Sequence, residues 1–195
     1  GRAPTGRSKA AMSAPRTRTR GRGDHQRGAA MVEAAFVTPI VIMMILIVVE
    51  SGMLLFSNLT VSRAAGDAAR VGIVARGADD ADARILAAVK KSTVGLKRTQ
   101  IERIVIWHAT YPDSDPPSQC LSNSPAVSIA GLCSVYTAAD LDKPYTQLTC
   151  GWCPDARVER DLIGVYIKMR YSSVTGLLST ITLTDQKILP IEYEY

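Results

Sequence analysis

The sequence predicts an α+β protein: a long N-terminal helix that crosses a membrane and runs on into an extracytoplasmic domain with a small antiparallel sheet. Three observations predict it. Ala34 to Val49 is an uncharged apolar run. A helical pattern rich in small residues follows it to about residue 76. Strand patterns then recur at 101–110, 157–172 and 181–195. Helix followed by strands is the order of an α+β domain.

The N-terminal arm comes first. The chain has 195 residues and a formal net charge of +5, and residues 1–27 hold eight basic side chains against one acid, Asp24. That arm carries +7, and the other 168 residues sum to −2. It is rich in Gly, Ala, Pro, Ser and Thr, too polar to bury a core, and is expected to be disordered. A basic surplus spread over a domain would suggest an anionic partner. Confined to an arm ahead of an apolar run, it reads as a cytosolic tail that orients the helix, and no nucleic-acid partner is expected. The 47 % hydrophobic content is enough for a core, and 6 % aromatic residues argue against a base-stacking surface.

The apolar run has sixteen residues. As a helix it spans ~24 Å at ~1.5 Å per residue, short of the ~30 Å hydrocarbon core. Extension through Glu50 to Phe56 completes the span and puts Glu50 in the outer leaflet or near its interface. A buried soluble helix would show a polar stripe, and Ile40 to Val49 has none. A cleaved secretory signal would carry a small-x-small site close behind its apolar stretch, and none occurs before Ala64. A retained membrane helix is the reading that fits. Pro39 cannot donate to the carbonyl of Ala35, so a kink is expected there, with Thr38 placed to relieve it. Glu33, at the cytosolic edge, reads two ways. It is a helix N-terminal acid favoured by the dipole, or a carboxylate that needs a partner in lipid.

Past the membrane, Leu59, Val61, Ala64, Ala65, Ala68, Ala69 and Val71 form a small-residue face suited to close packing. Gly72 and Gly77 mark its end near residue 76. Asp79, Asp80 and Asp82 then open a second helix with Ile85, Leu86 and Val89 on its apolar side, stopped by Gly95. The three Asp lack the later Gly and Glu of a calcium loop, so no metal site is assigned. In the first strand Ile101, Arg103, Val105 and Trp107 stand against Glu102, Ile104, Ile106 and His108; one side is mixed, so it is central or edge. In the second, Val165, Ile167 and Met169 alternate with Tyr166, Lys168 and Arg170. The third is interrupted at Pro190 and expected at an edge.

The four cysteines, Cys120, Cys133, Cys150 and Cys153, all fall beyond the membrane, in a loop at about 110–156. An even number there favours disulfides. Three pairings are open, and Cys120–Cys133 with Cys150–Cys153, which closes two local loops, is preferred. Cys150-Gly-Trp-Cys153 also invites a thiol-redox reading, but Pro154 follows the second Cys and a βαβ context is lacking. A zinc site lacks two further ligands at suitable spacing. His25 and His108 lie on opposite sides of the membrane, so no acid–base relay joins them, and His108 beside Trp107 reads as structural. No phosphate loop or hydrolase motif is present. No cofactor and no enzymatic role are expected.

Arg27-Gly28-Ala29-Ala30-Met31-Val32-Glu33 resembles a class III (type IV) prepilin processing site, in which a membrane aspartyl protease cuts after the Gly. Gly28 stands at −1, Ala29 at +1 and Glu33 at +5. Pro39, the Val48-Val49-Glu50-Ser51-Gly52 stretch at the helix end and Ala64 to Arg70 extend the likeness. So do Gly176-Leu177-Leu178 and Ile191-Glu192-Tyr193 near the C-terminus. Together they resemble the TadE-like pseudopilins, the minor pilins of tight-adherence pilus systems. The sequence departs from that pattern at +6, where Ala34 replaces the common Phe or Tyr. The resemblance implies a basic leader at 1–28, a transmembrane helix at 29–56 and an extracytoplasmic pilin-like domain at 57–195. It also implies a prepilin peptidase, other pseudopilins, an assembly platform and membrane lipid as partners, at a cell (inner) membrane crossed once. Two rivals come from other classes: a membrane-anchored CxxC redox protein and a signal-anchored adhesin.

Overall fold

The computed structural model describes residues 23–195 except 76, 98–99, 123–124, 158–160, 174, 177–178 and 192–195, with side chains from Gly28 onward. The chain divides into two units, Gly1–Met44 and Ile45–Tyr195. Helix α1 (Gly23–Ala75) contributes to both and contains Pro39. In the first unit every described side chain from Gly28 to Met44 is exposed. Among the described residues one helix is long and apolar enough to cross a membrane.

The second unit is α+β. After α1 come α2 (Ala81–Ser92), β1 (Ile101–Ala109), the short α3 (Ser118–Ser122), β2 (Cys133–Tyr136), β3 (Leu162–Tyr171) and β4 (Ile181–Pro190). The strands form one antiparallel sheet in the order β2-β1-β3-β4. Trp107 lies opposite Cys133 on one side and Gly164 on the other. β3 and β4 pair without a break, from Leu162 opposite Pro190 to Tyr171 opposite Ile181.

The small-residue face of α1 is buried as its spacing predicts. Val61, Ala64, Ala65, Ala68 and Ala69 pack with Ile85, Leu86 and Val89 of α2 on Ile104, Ile106, Ile163, Val165, Ile167 and Met169. Close approach is the reason for the small residues. α1 ends at Ala75, close to the expected 76, and Gly72 lies in its last turn, where an added Cβ would stand 2.6 Å from Ile163 Cδ1. The opposite sheet face carries a second cluster: Val105, Trp107 and Ala109 under Cys120, Cys133 and Val135. β1 is therefore covered on both faces, which explains its mixed pattern, and its pairing with β2 and β3 places it inside the sheet.

Among the described residues the sheet has four strands where the sequence indicated three. β2 is four residues long and buried throughout, so it shows no alternation to read. β4 lies at an edge and is interrupted at Pro190, as the sequence suggests; residues 192–195, where the strand was expected to run on, lie outside the described residues. Gln186 of β4 turns its backbone N–H onto its neighbour's side chain, Asp185 Oδ1, at 2.7 Å. The N–H of buried Ile191 then donates to the carbonyl of Asp161 at 2.8 Å.

Candidate functional site

The Gly28–Glu33 motif, which resembles a processing site, lies on the exposed first part of α1. A Cβ built on Gly28 meets nothing within 4 Å, so packing does not require glycine there. Ala29 and Glu33 are exposed, and among the described residues Glu33 has no ion-pair partner. The side chain of Arg27 lies outside the described residues.

Glu50, expected in the outer leaflet or near its interface, is held by partners that the sequence did not indicate. It is 2 % exposed, within the second unit. Its Oε1 accepts a hydrogen bond from the Tyr171 hydroxyl at 2.8 Å. Its Oε2 accepts from the Thr175 backbone N–H at 3.1 Å and from the Thr175 hydroxyl at 2.9 Å. A buried carboxylate needs such donors to remain ionised. Burial and the Glu50 carboxylate push the Tyr171 phenol up, so it stays a donor. These partners come from the end of β3 and the loop behind it, more than a hundred positions along the chain.

A second buried polar centre lies under the cysteine loop. Asp82, expected as a helix-capping acid, does occupy the first turn of α2, but its carboxylate is buried. It accepts from Arg157 Nη2 and from the Tyr136 hydroxyl, the latter at 2.6 Å. The Arg157 side chain has no solvent exposure, and its Nη2 also donates to the Trp152 carbonyl at 3.0 Å. Its Cζ stands 4.9 Å from the Trp152 ring centroid, a cation–π contact. Burial, then Asp82, drive the Tyr136 phenol up, which keeps it protonated. His108 stacks on Trp152 at 5.3 Å, and its Nε2 lies 3.2 Å from Asp161 Oδ1, a structural setting. Asp80, by contrast, stays at the surface with Arg84, at 2.9 Å.

The structure pairs Cys120 with Cys133 and Cys150 with Cys153. Ile129 pairs with Cys133 along the outer edge of β2, and the Cys150–Cys153 turn is tied to the same region. Gly131 donates its N–H to the Gly151 carbonyl at 2.9 Å, and the Gly151 N–H donates to Ser134 Oγ at 3.0 Å. The approach is close enough that a Cβ on Gly151 would lie 2.1 Å from the Cys133 carbonyl oxygen. Behind Cys153 stands a single 3-10 turn, Pro154–Ala156, and not the α-helix of a thioredoxin-type site. Among the described residues no cluster suits a metal ion.

The sequence did not single out Tyr136, Trp152, Arg157, Tyr171 or Thr175 as partners. The buried centre joins positions 75 apart, and no local pattern carries that information. Leu177, Leu178, Glu192 and Tyr193, part of the C-terminal likeness, lie outside the described residues.

A family model described as TadE-like protein matches residues 28–70. That stretch holds Gly28, Ala29, Glu33, Pro39, Glu50 and the Ala/Arg segment, and it leaves the C-terminal likeness outside. No curated protein and no solved structure matches the chain. Residues 28–70, which run from the Gly28–Glu33 motif to the packed face of α1, are thus similar to the TadE-like protein family.

Proposed function

We propose that the chain is a TadE-like pseudopilin, a structural or assembly component of a tight-adherence pilus or a related secretion system. It is made as a precursor and cut between Gly28 and Ala29 by a prepilin peptidase. The observation that carries this reading is that the family match begins at residue 28, where the basic arm meets the apolar helix. The +7 arm orients the helix with its N-terminus in the cytosol and the sheet domain outside. Two disulfides suit that oxidising side. Other pseudopilins and the assembly platform are the proposed partners, with lipid around α1.

Cleavage leaves a free amine on Ala29, one helical turn from Glu33. In lipid, a lone ammonium and a lone carboxylate are each costly, and pairing between neighbouring subunits satisfies both. The first test is the N-terminal sequence of the mature protein, expected to begin at Ala29; an intact leader overturns the reading. Gly28→Ala is expected to abolish cleavage and leave a folded, slower-migrating precursor, because the added methyl meets open space. Mature-size product from that variant argues against the site. Glu33→Gln is expected to be cleaved normally but to lose co-purification with partner pilins. Retained assembly removes the pairing role.

A further inference from the structure

The two disulfides differ in access and in what they hold. Cys120 and Cys133 are both 0 % exposed and packed in one cluster with Val105, Trp107 and Ala109. Cys150 and Cys153 are half-buried. Thiol–disulfide exchange needs an incoming thiolate to reach a sulfur, so the second bond is the one open to it. Behind Cys153 stands only a 3-10 turn, so no helix N-terminus stabilises a thiolate there as it does in an oxidoreductase.

The two residues enclosed by this bond tie the turn to the domain. Gly151 bonds to Gly131 and to Ser134. The Trp152 carbonyl accepts from Ser134 Oγ at 3.2 Å and from Arg157 Nη2 at 3.0 Å, and its ring lies over the guanidinium. Arg157 Nε and Nη1 are buried with no hydrogen-bond partner among the described residues. Cys150 itself lines a recess of about 50 Å³ together with Asp82 and Tyr136. Unpaired buried N–H groups are costly, and hydration relieves that cost wherever water can enter. The turn therefore holds shut a charged centre that hydration favours opening.

We propose that Cys150–Cys153 is a redox-controlled latch, opened by a dithiol, that keeps Trp152 closed over the Asp82–Arg157 centre. A thiolate of the dithiol attacks one sulfur, and the other cysteine leaves as a thiolate. The second thiol of the reductant then resolves the mixed disulfide. The reductant departs as its own disulfide, having given two electrons and two protons, and both cysteines end as thiols. The bond joins residues only 3 apart in sequence, so it restricts the unfolded chain little and its effect is local. A chain held among thiols keeps the centre open, and an oxidising compartment seals it. The latch does not depend on leader cleavage or on the membrane.

The test is a titration of dithiothreitol into the folded full chain in detergent, with new thiols alkylated and mapped by mass spectrometry. Cys150 and Cys153 are expected to be modified at a concentration about tenfold below that needed for Cys120 and Cys133. At that concentration the Gly131 and Gly151 amides are expected to exchange hydrogen about tenfold faster, with Ile104 in β1 unchanged. Acrylamide is expected to begin quenching Trp152, which is 4 % exposed in the closed form. Cys150→Ser combined with Cys153→Ser is expected to show the same exchange without reductant. Modification of all four cysteines together, or of none before unfolding, overturns the selective access. Selective modification with unchanged exchange and quenching at the turn overturns the latch.

Discussion

Arg157→Met is expected to destabilise the outer domain by about 3–5 kcal/mol. The guanidinium has no solvent exposure, and its main partner, Asp82, is also buried. Methionine fills much of the volume but leaves the carboxylate without its cation in a medium that does not tolerate a lone charge. Tyr136 still donates one hydrogen bond, too little to replace a full charge. Loss of the cation–π contact with Trp152 adds about 0.5–2 kcal/mol. Denaturant unfolding of the full chain in detergent, followed by the fluorescence of Trp107 and Trp152, measures the loss. Asp82→Asn combined with Arg157→Met is the decisive comparison. Neutralising the stranded acid should recover part of the stability, so the double variant should lose less than the two single losses added together. Simple additivity would show that the two side chains do not act as a pair.

Gly164→Ala is expected to cost about 1–3 kcal/mol or more, through overpacking. Its Cβ would stand 2.4 Å from the Trp107 ring, which lies fully buried directly across the ladder. Neither can withdraw easily: Gly164 is inside β3, and the ring is packed under the cysteine loop. Trp107→Phe should restore much of the loss. It makes room, and it removes an indole Nε1 that is buried without a hydrogen-bond partner. With Trp152 as the reporter, a double variant no more stable than Gly164→Ala would refute this account of the contact.

What could be read from sequence follows a physical divide. α1, α2 and the strands at 101, 162 and 181 announce themselves through periodic burial, because each has one face toward the core under α1. β1 looked ambiguous because it is covered twice, and β2 was invisible because four buried residues have no period. The likeness around Gly28, Ala29 and Glu33, which the family match spans, was legible because a linear motif is local. The preferred disulfide pairing was legible for the same reason, each bond closing a short loop. Glu50 shows the limit. Its place at the end of an apolar run was plain, but its hydroxyl and amide donors lie 121 and 125 positions away. Asp82 was read by its position in a helix, which was right, and its buried partner was supplied by tertiary structure alone.

The turn of the Gln186 N–H onto Asp185 has a consequence for crowding. A ten-residue edge strand is a template on which a neighbour's strand can add, the first step of sheet-to-sheet aggregation. In β4 one such donor is already occupied within its own strand, an acid and a lysine stand at 185 and 187, and the strand closes on a proline that has no donor to offer. At the opposite edge, the Cys133 and Val135 N–H groups of β2 are already donated to the Ile129 carbonyl and the Ser128 hydroxyl. On the proposed reading many copies share one membrane at high local concentration. A sheet guarded at both sides leaves the helices to make the contacts between copies, and keeps stored subunits from coalescing into fibrous β-structure before they are used.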